Sequence, residues 1–85
     1  MKAKISRQNI LAKTEKSFLI KVPTKDACFW HQQRFCTLKE EDLIIWFGDE
    51  FKMQFIRPNC RPQQVLGDYF LRDILKPWLM REDTE

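Results

Sequence analysis

The chain has 85 residues, 44% of them hydrophobic and 13% aromatic, with 15 Lys and Arg against 12 Asp and Glu. That length allows one core, because two would leave roughly 40 residues each, near the lower limit for unaided folding. The apolar fraction excludes a disordered tail, and two glycines exclude a glycine-rich phosphate cradle.

Charge is unevenly spread. Residues 1–25 carry seven basic groups and one acid, residues 26–50 two basic groups and six acids, and residues 51–85 six basic groups and five acids. A cationic first third beside an acidic middle suits a strip for phosphate or for an acidic partner. Residues 1–4 are basic but no apolar stretch of a secretory signal follows, and the longest apolar run, 43–47, is too short to span a bilayer. Three cysteines, an odd number, fit a reducing compartment better than a disulfide framework. A soluble, cytoplasmic protein with no membrane partner is expected.

In chain order, Ser6 suits a helix cap, but a strand over 9–14 is preferred to one or two marginal turns. After a turn at Glu15-Lys16, residues 17–22 alternate, with Phe18, Ile20 and Val22 on one face and Leu19 and Lys21 on the other, as a half-buried strand requires. Pro23 ends it. Residues 28–37 read as a third strand, and 37–42 as a charged loop. Residues 43–47 and 50–56 read as a hairpin about a Gly48-Asp49 turn, with Ile44, Trp46, Phe51, Met53 and Phe55 as its buried face. Pro58 and Pro62 break the sheet. From 62 to 76 the spacing of Leu66, Phe70 and Ile74 predicts a helix, with Gly67 costing about 1 kcal/mol and Pro77 closing it. Residues 78–80 form an apolar cap and 81–85 a frayed tail. No internal repeat is visible. The expected architecture is α+β, in one domain over 1–85. It is a small antiparallel β-meander or partly open barrel of about five strands over 9–56, with the C-terminal helix (62–76) packed on one face.

Two constellations of reactive side chains point to little chemistry. Cys28, His31 and Cys36 have zinc-like spacing, but Cys60 is distant, and in a strand Cys28 and His31 face opposite ways. His31 is then a surface imidazole. A Cys/His nucleophile would need oxyanion donors and an orienting group that the sequence does not supply. No catalytic residue, metal ligand, cofactor or small-molecule substrate is assigned. The residues 29–35 are denser in planar groups than a core strand needs. One alternating set faces away from the core, beside cations, and makes a platform on which nucleobases stack while Lys and Arg hold phosphates. The candidate binding residues are Phe29 and Trp30 for stacking and Lys21, Arg34, Lys52 and Arg57 for phosphate. The same features would serve a protein hot spot.

Residues 13–23, Lys-Thr-Glu-Lys-Ser-Phe-Leu-Ile-Lys-Val-Pro, then Phe29-Trp30-His31, and Asp49-Glu50-Phe51 with Lys52, resemble small uncharacterised proteins of bacteriophages and integrative elements. The likeness covers about half the chain, with Gln32 and Gln33 where the pattern has proline and no match after Phe55. It implies a mobile-element origin, the host cytoplasm and an accessory, non-catalytic role. The partner is then nucleic acid, single-stranded, with a host protein complex met by an anti-defence or takeover inhibitor as the alternative.

Overall fold

The computed structural model describes residues 1–48 and 50–80, with backbone alone at Asp68 and Leu71. Among the described residues eight strands form two antiparallel sheets. One has the order β1-β6-β5 and the other β2-β3-β4-β7-β8. The strands are β1 (Lys2–Ser6), β2 (Ile10–Lys13), β3 (Ser17–Lys21), β4 (Cys28–Gln32), β5 (Cys36–Lys39), β6 (Asp42–Trp46), β7 (Lys52–Ile56) and β8 (Gln63–Leu66). Alternation decides which side of each strand is buried. Ala3, Ile5, Leu43 and Ile45 from one sheet meet Phe18, Ile20, Phe29, Met53 and Phe55 from the other, in a single core completed by Val22, Phe47, Phe70 and Leu75.

The first six strands are one unit used twice. β1, a 3-10 turn (Arg7–Asn9), β2 and β3 are echoed by β4, a 3-10 turn (Gln33–Phe35), β5 and β6, with matching burial along the strands. The units exchange first strands: β1 pairs with β6 and β4 with β3. The registers correspond, Lys2 facing Trp46 as Cys28 faces Lys21, and Ser6 facing Asp42 as Gln32 faces Ser17. The hydrogen bonds between units repeat as well. The Arg7 amide donates to the Glu41 carbonyl at 2.9 Å and the Gln33 amide to the Lys16 carbonyl at 2.8 Å. The Phe47 amide donates to the Met1 carbonyl at 2.8 Å and the Val22 amide to the Ala27 carbonyl at 2.9 Å. A bulge between Ile10 and Ala12 takes up the one-residue difference in spacing. The repeat was invisible in the sequence because equivalent positions, such as Ala3 and Phe29 or Asn9 and Phe35, share burial but not residue type.

Several expectations are corrected. The strand and turn over 9–22 form as the β2–β3 hairpin, while Ser6 caps a 3-10 turn, its hydroxyl accepting from the Gln8 amide at 3.2 Å. Residues 28–37 are two strands in different sheets, β4 and β5, divided by a turn. The charged loop is the tight β5–β6 turn, Lys39 facing Asp42 and Glu40 at φ 56°. The 43–56 hairpin does not form. β6 lies between β1 and β5, and β7 between β4 and β8, so Leu43, Ile45 and Phe47 face the core, while Ile44 is half-buried and Trp46 is 38% exposed. Its Asp49 turn residue lies outside the described residues. Met53 and Phe55 are buried as expected.

The helix over 62–76 is replaced at its start by β8, which pairs with β7 from Lys52↔Leu66 to Phe55↔Gln63. A sheet edge with open hydrogen-bonding groups outweighs the helical spacing of four residues. Helical turns follow as α1 (Gly67–Tyr69) and a wider coil (Phe70–Ile74), then a 3-10 turn (Lys76–Trp78). They insert Phe70 and Leu75 into the core. Gly67 is required at the junction. Its amide donates to the Phe51 carbonyl at 2.7 Å, and a Cβ there would run into the Gly48 carbonyl oxygen. The 78–80 segment docks beside β1, with the Met80 amide donating to the Lys2 carbonyl at 2.9 Å. The expected frayed tail, 81–85, lies outside the described residues. No helix among the described residues is long and apolar enough to cross a membrane.

Candidate functional site

β4 and β7 are neighbours for only two residue pairs, Cys28↔Ile56 and Phe29↔Phe55. Beyond them the strands part. Residues 30–32 and 52–54 line the cleft that opens between them, together with Ser17, Arg34, Phe35 and Phe51. Its volume is about 380 Å³. The split has a local cause. β4 turns away at the 3-10 turn (Gln33–Phe35) to join the other sheet as β5, while β7 stays on β8 along its length.

The cleft is walled by rings. Phe35, Trp46 and Phe51 form a triad, with centroid separations of 5.4 Å for Phe35–Trp46, 4.8 Å for Phe35–Phe51 and 5.3 Å for Trp46–Phe51. Phe35 and Phe51 line the cleft, and so does Trp30, which belongs to none of the ring pairs among the described residues. Trp30 stands on the outward parity of β4 and His31 on the inward one, so the cleft is lined from both faces of that strand. The Arg34 guanidinium lies 4.8 Å from the Phe35 ring centroid, a cation–π contact, and Lys52 stands on the β7 side. The lining holds two cations and no acid.

His31 lies at the floor and is 5% exposed, so it is not the surface imidazole expected. Alternation on β4 sends it inward with Phe29, and its ring sits 4.7 Å from that of Phe47. Its Nε2 is 2.9 Å from the Trp46 carbonyl oxygen. A carbonyl only accepts, so in the neutral ring Nε2 carries the proton. Burial holds the His31 pKa below its ordinary 6.5, against a smaller upward pull from the Trp46 carbonyl.

The six sequence-assigned residues divide three ways. Phe29 is removed from the site: it is fully buried against Phe47 and Phe70, with its ring 4.7 Å from the latter. Trp30, Arg34 and Lys52 meet at the cleft. Lys21 and Arg57 border a second hollow farther along the same outer sheet face, with Leu11, Asp26, Cys28 and Ile56. Lys21 donates to the Val22 carbonyl at 3.3 Å, and Arg57 to Gln63 Oε1 at 3.1 Å. Phe35, Phe51 and Trp46 were missed. Their signal was the opposite parity of β6, which leaves Trp46 outside once Leu43, Ile45 and Phe47 are taken as the buried set.

The Cys28 and Cys36 thiols are held protonated rather than activated. Burial pushes Cys36 up to about 11, and burial followed by the Asp26 charge raises Cys28. Cys28 and His31 face opposite sides of β4, and among the described residues no three His, Cys, Asp or Glu side chains converge as a metal site needs. No protein family, curated protein or solved structure matches the chain.

Proposed function

We propose that the chain is a non-catalytic module that binds single-stranded nucleic acid at the cleft between β4 and β7. The observation that carries this reading is a cleft lined by the aromatic residues Trp30, Phe35 and Phe51 together with two cations and no acid. An unstacked base is a flat group that fills a gap between rings, and stacking contributes about 1–3 kcal/mol per base. In this reading Arg34 and Lys52, which line the same cleft, meet the backbone phosphates. Lys21 and Arg57 then carry the contact on to the next hollow of the same sheet face, which also holds Asp26. The likeness of residues 13–23 and 29–31 to bacteriophage and integrative-element proteins suits such an accessory role.

The test is fluorescence anisotropy with a labelled single-stranded oligonucleotide across a salt series. Trp30→Ala is expected to weaken binding about tenfold or more. The slope of log affinity against log salt distinguishes the extent of the track. About −1.4 is expected if only Arg34 and Lys52 meet phosphates, and about −2.8 if Lys21 and Arg57 join them. Absence of binding at low salt rejects the reading.

One observation favours a second reading. Trp46 is 38% exposed within a triad that also carries Arg34, the composition of a protein-binding hot spot. A protein-directed inhibitor, such as an anti-defence or host-takeover protein, would use that surface. A stoichiometric protein retained from nuclease-treated host lysate, and lost with Trp46→Ala, would favour it.

A further inference from the structure

The floor of the cleft carries one polar group held in a fixed orientation. His31 is nine-tenths or more buried, and its ring is clamped by the 2.9 Å contact of Nε2 with the Trp46 carbonyl and by the Phe47 ring at 4.7 Å. That contact assigns the proton to Nε2 and leaves Nδ1 with a lone pair. Among the described residues Nδ1 has no partner, yet no sealed side-chain nitrogen goes unsatisfied, so Nδ1 keeps some accessible surface, and the space that His31 lines is the cleft. Burial keeps the ring neutral at physiological pH, and the lone pair is preserved there. A clamped acceptor at the bottom of a ring-walled slot is a device for reading the edge of whatever enters.

Resting on the single-strand-binding reading above, we propose that the cleft selects the base it holds: His31 Nδ1 accepts a hydrogen bond from an exocyclic amino group, so an amino-bearing base is taken in preference to thymine or uracil. Thymine and uracil have no amino group, and their one ring N–H is flanked by two carbonyl oxygens. Turning that edge to the floor brings carbonyl lone pairs toward Nδ1. Cytosine and adenine each place an amino group at the corner of the edge. A buried acceptor left without a donor discriminates more strongly than a change of shape.

Cytosine and thymine separate this effect from ring size, since both are pyrimidines. Oligo-dC and oligo-dT of equal length are compared by anisotropy at pH 7.5 and low salt, with oligomers of 2-pyrimidinone deoxynucleotide, which is cytosine without its amino group. Oligo-dC is expected to bind about five- to tenfold more tightly than oligo-dT, with the pyrimidinone oligomer at the oligo-dT level. In His31→Phe, which keeps a ring at the site, the ratio of oligo-dC to oligo-dT affinity is expected to fall to about one. If His31→Phe does not fold, the pyrimidinone oligomer decides alone. Equal binding of oligo-dC and oligo-dT, both weakened by Trp30→Ala, overturns base selection and leaves single-strand binding standing. No binding of any of the three oligomers overturns both.

Discussion

The two exchanged units share a backbone and differ in what they mount on it. Where the first unit has Ala3, Lys4, Ile5 and Asn9, the second has Phe29, Trp30, His31 and Phe35, and where the first has Lys21 the second has Trp46. The first unit reaches the same strands, turns and inter-unit hydrogen bonds with small, aliphatic and charged side chains. Rings at these positions are therefore not a requirement of the backbone path. In the second unit Phe29 and Phe47 fill the core, Trp30, His31 and Phe35 line the cleft where β4 leaves β7, and Trp46 packs against Phe35. The difference teaches how little the shared framework demands at these positions, which is why the proposed binding role is placed on the second unit's rings.

The largest effect separates Phe29 from its neighbour. Phe29 is fully buried, with its ring within 4.7 Å of Phe70 and 6.2 Å of Phe47. Phe29→Ala is expected to cost about 3–5 kcal/mol. That is a large share of the roughly 5–15 kcal/mol that holds such a domain together. Trp30, one residue on and facing outward, should cost under about 1 kcal/mol as Trp30→Ala while removing binding. Urea denaturation of the two variants measures both. Comparable losses from the two would make Trp30 a structural residue and remove the cleft's first wall.

Next in size is the acid response of His31, whose counterpart Ile5 has no charge to gain. The native state holds His31 neutral and lowers its pKa below 6.5, so the unfolded chain binds the proton more readily. The stabilisation is complete above pH 6.5 and is lost as pH falls from there through the folded value. Unfolding free energy should be flat from pH 8 to 7. It should then decline below 6.5 by at most about 1.4 kcal/mol per pH unit. Chemical denaturation at stepped pH, with His31→Phe as the comparison, reads this directly. A wild-type curve that is flat down to pH 5.5 would mean that the imidazole titrates freely and is not clamped.

Much of the β2–β3 hairpin was legible, because Phe18, Ile20 and Val22 alternate with polar or outward residues and Pro23 stops the strand. That Phe29 and Trp30 face opposite ways was legible for the same reason, though not which of them faces outward; Arg34 and Lys52 were named as their cationic companions. What was not legible was long-range pairing. Residues 43–47 are apolar on both parities, so the segment itself does not say whether Trp46 or Phe47 faces inward, and a glycine turn made the wrong partner attractive. Lys2-Ala3-Lys4-Ile5-Ser6 has clear alternation but reads as a basic terminus until β6 is available to pair with it. Leu66 stands at helical spacing from Phe70 and Ile74, and only the open edge of β7 makes residues 63–66 a strand. The cleft depends on all three pairings, so its cations could be named from the sequence but not its second wall.

A modest effect on stability tests the comparison most closely. Phe35 and Asn9 occupy equivalent places in the two 3-10 turns, and both are half-buried. If the second unit's rings are there for a ligand, giving Phe35 the residue of its counterpart should leave the turn intact. Phe35→Asn loses the ring contacts with Trp46 and Phe51 and the Arg34 cation–π contact, worth together about 1–2 kcal/mol at a partly exposed site. The 3-10 turn itself survives in the first unit with Asn at this position. Binding of a single-stranded oligonucleotide should fall about tenfold or more, because one wall of the cleft is gone. The informative quantity is the ratio of the two losses, from anisotropy and denaturation on the same sample. A large loss of binding with a small loss of stability assigns the ring to the ligand. The opposite ratio would mean that the second unit needs its rings to fold, and that the two units are alike in path but not in what sustains it.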